Sequence, residues 1–224
     1  MEKVNPITRP STLNELAYKE IRNSLISGQL QFDKIYSANY FAEILKVSRT
    51  PVREALLQLA NEGCLISLQG QGFKIKEYST KEIRDFFETR RMIESYVVER
   101  VVGSLTEQEL GQLEGCLRSM VERAKRRGET YSFLEADKDF HMNLVNRYDN
   151  FLLISIMQNI RNLISIFGGR ALSHRERYQE VLDEHNVIFE AIRQKDKKKA
   201  VQSMVYHLNT TEKYLLENYR AGAR

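Results

Sequence analysis

The ten residues from Val47 to Leu56 constrain the fold of this chain more than any other stretch. Ser48 suits a helix N-cap, and Pro51 falls in the first turn, where backbone N–H groups have no helical partner to lose. Val52, Ala55, Leu56 and Leu59 follow the i, i+3, i+4, i+7 spacing of a buried stripe. Arg49 and Arg53 stand four apart on the other face, with Thr50 beside them. A helix N-terminus carrying two arginines and a hydroxyl is equipped for phosphates and guanine edges. The same spacing also fits an ordinary amphipathic helix with solvated arginines, so the flanking segments must decide.

Those segments predict a winged helix. Leu13, Ala17, Ile21 and Leu25 recur at helical spacing, which gives a first helix ending near Ser27-Gly28. A second helix runs from about Ser37 to Leu45 with Phe41, Ile44 and Leu45 inward, and Lys46-Val47 turns into the recognition helix. Residues 65–68 and 73–76 read as short strands joined by the turn Gln69-Gly70-Gln71-Gly72. Phe73 and Ile75 alternate with Lys74 and Lys76, so one face is apolar and the other cationic. Such a hairpin can bring its tip to a minor groove while its lysines meet phosphates.

Arg49-Thr50-Pro51-Val52-Arg53-Glu54-Ala55-Leu56, followed by Leu59, Glu62-Gly63 and the Gln-Gly-Gln-Gly turn, resembles the GntR family of bacterial transcription regulators. The resemblance covers roughly residues 11 to 76. It implies base contacts from Arg49 and Arg53, support from Ser48 and Thr50, and a wing contact near Gly70. Two positions depart from the pattern. Asn39 stands where several relatives carry a DNA-contacting arginine and can still hydrogen-bond a base or phosphate, and Lys46 replaces the usual turn glycine.

No apolar run in the 224 residues approaches the ~20 needed to span a bilayer, and Met1 to Pro6 lack the apolar core of a secretory signal. A soluble, cytoplasmic chain is expected, and two isolated cysteines, Cys64 and Cys116, suit a reducing compartment. The net charge of +4 permits nucleic-acid binding without arguing for it. The basic run Lys195 to Lys199 reads as a solvated connection between helices.

After Lys76 the β signal disappears. The expected organisation is a DNA-binding domain over 1–77 and an all-helical domain over 78–224, joined by the short linker Tyr78-Ser79, which implies coupled domains. Ser79 to Glu82 and Thr106 to Glu109 are capping-box sequences, and Lys125-Arg126-Arg127-Gly128 closes a helix. Six helices are predicted, over 80–103, 106–127, 129–147, 150–168, 174–194 and 196–219, in an antiparallel bundle. The fold class is thus mainly α.

Three of the four histidines fall on apolar stripes. Leu134, Asp137, His141, Leu144 and Tyr148 trace one; Val181, His185, Ile188 and Ile192 a second; His207 lies beside Met204 and Leu208. Buried carboxylate and imidazole need satisfaction, either from separate hydrogen-bond partners or from one divalent ion, zinc or nickel by donor chemistry. The spacing resembles the FCD ligand-binding domain that accompanies this DNA-binding domain in one branch of the family. That resemblance implies a metal on Asp137, His141, His185 and His207, and six helices point to the smaller subgroup that includes vanillate regulators. Asp139 lies off the stripe and His174 at a helix start. On the first bundle helix Arg90 faces inward and Arg91 outward; Arg90 can pair with Glu94 or receive an effector carboxylate.

The expected function is a homodimeric, sequence-specific regulator, acting as a repressor on an inverted-repeat DNA operator and controlled by a small organic acid at the metal. Three rivals share the cluster: a sensor in which the ion is the signal, a purely structural ion, and a metal-dependent hydrolase. The hydrolase would leave the winged helix unexplained and has no spare inward carboxylate but Glu94.

Overall fold

The structure, a computed structural model, describes residues 12–126, 129–172 and 175–221. The chain separates into two compact units, one ending at Lys76 and the other beginning at Glu77, with residues 26–29 grouped with the second. Both are ordered largely by local signals in the sequence.

In the first unit the elements are α1 (Leu13–Ile26), β1 (Ile35–Tyr36), α2 (Ala38–Leu45), α3 (Arg49–Asn61), β2 (Leu65–Leu68) and β3 (Gly72–Ile75). Ser37 caps α2 by accepting a hydrogen bond from the Tyr40 N–H. Lys46 ends that helix in the left-handed region at φ 54°, with its N–H on the Ala42 carbonyl. A residue with a Cβ gives up roughly 1–2 kcal/mol there, and that conformation is what a glycine at this turn would supply freely. Ser48 occupies the N-cap position of α3 in extended geometry, but its side chain makes no capping bond. Val52, Ala55, Leu56 and Leu59 are fully buried, as their spacing predicts. The α2 stripe differs from expectation: Phe41 and Ala42 are buried, Leu45 is half-buried and Ile44 is exposed. Ile44 falls about 100° around the helix from the centre of the other three.

A third strand joins the expected hairpin. The sheet is antiparallel in the order β1-β3-β2, with Ile35 and Ile66 both opposite Lys74 and Tyr36 opposite Phe73. Two residues of β1 show no alternation to read, so only the pairing reveals them. Gly72, at φ 134°, is demanded by this pairing: a Cβ there would lie 2.5 Å from the Tyr36 carbonyl oxygen. Gly70 turns the hairpin at φ 72° with open space around it.

The second unit is a bundle of α4 (Thr80–Val101), α5 (Glu107–Ala124), α6 (Thr130–Arg147), α7 (Phe151–Ala171), α8 (Arg175–Arg193) and α9 (Lys197–Ala221). The boundaries fall within three residues of those predicted; the Arg127-Gly128 stop signal lies outside the described residues. Both capping boxes form, Ser79 with Glu82 and Thr106 with Glu109. Asp196 caps α9 by accepting from the Lys199 N–H, so Lys197 to Lys199 belong to its first turn rather than to a connection. Helix α4 packs on α6, α7 and α9, α5 on α6 and α8, and α8 on α9. Phe133, Phe140, Met157, Met204 and Leu208 lie in one continuous core. That packing turns α4, α6, α7, α8 and α9 toward a common polar centre.

Candidate nucleic-acid interface and metal centre

On the first unit Arg49, Thr50 and Arg53 are exposed at the start of α3 while the opposite face is buried. A cleft of about 460 Å³ lies between Arg49 and Arg53, Ser37 at the α2 N-terminus, and the wing turn from Gln69 to Gly72. Two arginines, a helix N-terminus and an open turn around one cleft present donors suited to a phosphate strand and its base edges. A second recess holds Asn39, Lys46 and Ser48 with Arg49. Six of the residues expected to contact DNA, Asn39, Ser48, Arg49, Thr50, Arg53 and Gly70, therefore border one or another recess that Arg49 or Arg53 shares. Lys74 stands apart from them, half-buried on the central strand between Ile35 and Ile66. Behind α3, Asn14 donates to Glu54 at 3.2 Å and the Tyr18 hydroxyl to Glu62 at 2.7 Å, which ties the recognition helix to α1.

In the second unit Asp137 and His141 on α6, His185 on α8 and His207 on α9 converge, each buried and each offering one ligand atom within 4.8 Å of the others. Hydrogen bonds fix which atoms those are. His141 Nδ1 meets Glu94 Oε2, His185 Nδ1 meets the Val181 carbonyl at 2.8 Å, and His207 Nδ1 meets Glu184 Oε2 at 2.7 Å. Carboxylate and carbonyl oxygens only accept, so each Nδ1 donates at that contact, and a ring protonated on Nδ1 alone offers its Nε2 lone pair to the centre. His141 and His185 thus bring two Nε2 atoms to 3.3 Å from each other, with Asp137 Oδ1 at 3.2 Å from the His185 atom. Asp137 is held through its other oxygen by Arg161 of α7.

The ionisation states agree with a cation site. Burial pushes His141 down to about 3 and His207 down to about 4, against the pull of Glu94 on the first and Glu184 on the second. Burial opposes ionisation of Asp137, yet Arg161 and His185 hold its carboxyl well below the usual range. Glu94 behaves alike: burial raises it, and Arg90 and His141 outweigh that. Neutral imidazoles and an ionised carboxylate are the forms that bind metal. One cation at the centre would satisfy all four ligand atoms at once.

Both readings of Arg90 have a counterpart in the geometry. It is fully buried over the Phe87 ring, 5.3 Å from its centre, its Nε donates to Glu94 Oε1 at 2.6 Å, and its Nη1 and Nη2 are buried with no hydrogen-bond partner. Arg91, expected outward, is half-buried and paired with Glu212 of α9, because α9 packs along that side of α4. Asp139 is exposed and off the cluster; His174 lies outside the described residues. Two partners of the site went unread in the sequence. Glu184, next to His185, orients His207 and is itself gripped by buried Arg177 at 2.6 and 3.2 Å. Arg161 looks like any helical arginine until the fold places it on Asp137.

Comparison with known proteins accords with this geometry. The profile of bacterial regulatory proteins of the gntR family matches residues 13–75, and the FCD domain profile matches residues 85–210. The gluconate operon transcriptional repressor of Bacillus subtilis is 30% identical over 204 residues, covering 88% of this chain and 82% of the relative. The transcriptional repressor RspR of Escherichia coli K12 is 26% identical over 206 residues, covering 92% and 89%. Among solved structures, McbR/YncC of E. coli has the same fold at a TM-score of 0.76 and 20% identity, over 94% of this chain and all of that one. A metal-free FCD domain of another regulator is 26% identical at a TM-score of 0.54, over 65% of this chain and 99% of its own. No described helix is long and apolar enough to cross a membrane. With a winged helix at one end and a histidine-lined helical bundle at the other, this chain belongs to the GntR family of bacterial transcription regulators, in its FCD branch, and is a DNA-binding regulator.

Proposed function

We propose that this protein is a cytoplasmic, homodimeric repressor that reads an inverted-repeat operator and is controlled by a small organic acid bound beside a metal ion. The observation that carries the reading is the convergence of Asp137, His141, His185 and His207, with the Nε2 atoms of His141 and His185 3.3 Å apart and Asp137 Oδ1 close by. Four buried ligand atoms this close need a shared proton or a cation to hold them together, and a cation serves all four. Three imidazoles and a carboxylate are donors for zinc or nickel, and Asp137, His141, His185 and His207 would hold the ion. When bound, the ion supplies a Lewis-acid position for a carboxylate oxygen. The chain's own part is to hold the three rings through Glu94, Val181 and Glu184, to hold Asp137 through Arg161, and to offer the two free Arg90 nitrogens to an anion. On the other unit Arg49 and Arg53 would read bases, with Asn39, Ser48, Thr50, Gly70 and Lys74 in supporting contacts. Repression follows the names of the gluconate operon repressor and RspR, which regulate by that sign.

The test joins elemental analysis to operator binding. One ion per chain, and operator affinity that an acid changes only in the metal-loaded protein, is the expected result. A chelator that changes operator affinity with no acid present would favour the ion itself as the signal, a reading that the complete four-ligand set also supports. A protein that never holds an ion would sink both.

A further inference from the structure

We infer that the bundle interior is built for a dianion with two carboxylate ends, a short dicarboxylate, with Arg90 and Arg161 as its guanidinium anchors. The inference rests on the metal-and-acid reading above and narrows it. Its first support is a set of buried donors with no hydrogen-bond acceptor. Arg90 is wholly buried, with Nη1 and Nη2 unpartnered, and Arg161 is 4% exposed with its Nε unpartnered. Both are otherwise spoken for, Arg90 by Glu94 through its Nε and Arg161 by Asp137 through its Nη2. A buried donor without an acceptor is costly, so three such nitrogens on two helices beside one centre are places for the oxygens of an anion. The Nη1/Nη2 edge of Arg90 has the planar fork that a carboxylate accepts in bidentate fashion.

The second support is charge. Among the described residues the buried charges of this unit are the guanidiniums of Arg90, Arg161 and Arg177 and the carboxylates of Glu94, Asp137 and the nearly buried Glu184. Three positive and three negative charges cancel, and imidazoles that ligate a metal ion are neutral. A divalent ion then brings the centre to a net charge of two with no protein group left to balance it. Arg161 already acts unfavourably on Arg90, so added positive charge deepens the imbalance. In a low-dielectric interior a residual charge is expensive, and a monocarboxylate would leave one unit uncompensated. A dicarboxylate balances the charge and has a second end for the second guanidinium.

The test is calorimetric titration of the full-length, zinc-loaded protein with malonate, succinate and glutarate, each beside its monoamide, and with gluconate and inorganic phosphate. The monoamides keep length and shape and remove one charge. At least one diacid is expected to bind about tenfold or more tightly than its monoamide and than gluconate. In R90Q that preference should vanish while elemental analysis still finds the ion. A monoamide or gluconate binding as tightly as the diacids overturns the inference and leaves the metal-and-acid reading standing. Phosphate binding in preference to every diacid overturns the two-ended ligand. Failure to hold zinc, or heat from no acid at all, removes the underlying reading as well.

Discussion

Glu184 gives the sharpest handle on the bundle. Its Oε2 lies 2.7 Å from His207 Nδ1, and its two oxygens receive Arg177 at 2.6 and 3.2 Å. Replacing it by glutamine keeps length and volume and removes only the charge. A hydrogen bond to a charged group contributes ~1.5–3 kcal/mol and a neutral one ~0.5–1.5, so the exchange weakens the hold on His207 by ~1–1.5 kcal/mol. Arg177 retains Glu180 and Thr211 at 3.2 Å each, and so stays partnered. His207 then presents a less basic Nε2, and zinc affinity should fall about tenfold, the lower end of what lost outer partners of a ligand histidine cause. Competition against a chromophoric chelator measures this directly, with circular dichroism of the metal-free protein confirming an unchanged fold. Equal zinc affinity in Glu184→Gln and the parent would refute the claim that this carboxylate positions a ligand.

Further outcomes follow from other parts of the chain. Arg49→Ala and Arg53→Ala should each weaken binding to an operator selected from random duplexes by ~1–3 kcal/mol, measured by gel shift; undiminished binding by both would remove α3 as the recognition element. Gly72→Ala should destabilise the first unit more than Gly70→Ala in urea melts, since its Cβ meets the Tyr36 carbonyl while that of Gly70 meets nothing. Equal losses would mean that positive φ alone governs both positions. Burial pushes the Cys64 thiol up to about 12, so it stays protonated as pH rises through 8. Iodoacetamide at that pH should spare Cys64 until the protein unfolds, and rapid labelling of native protein would contradict its burial.

What was legible in the sequence was whatever local physics decides. Helix periodicity, two capping boxes and a glycine-rich turn placed every bundle helix within three residues and oriented α3 correctly, because those signals act over one or two turns. The stripes on α6, α8 and α9 even brought out Asp137, His141, His185 and His207, since a polar residue on an apolar stripe has only the interior to face. Ile44 shows why one short helix is ambiguous: an apolar residue can sit off the packed arc, and eight residues are too few to average that out. Strand β1 was invisible because two residues carry no period and exist as a strand only through Tyr36 and Ile35 pairing with β3.

Tertiary structure alone decided the rest. Arg161 and Glu184 sit 24 and 23 residues from the ligands they hold, a separation no periodicity links. Arg90 illustrates both levels at once. Its stripe put it inside the bundle and its spacing put Glu94 one turn away, but a guanidinium has more donors than one carboxylate at that angle can take. Which of those donors remain free is set by packing of α6, α7 and α9 around it. A sequence states which groups are buried; only the fold states which of them are left without a partner.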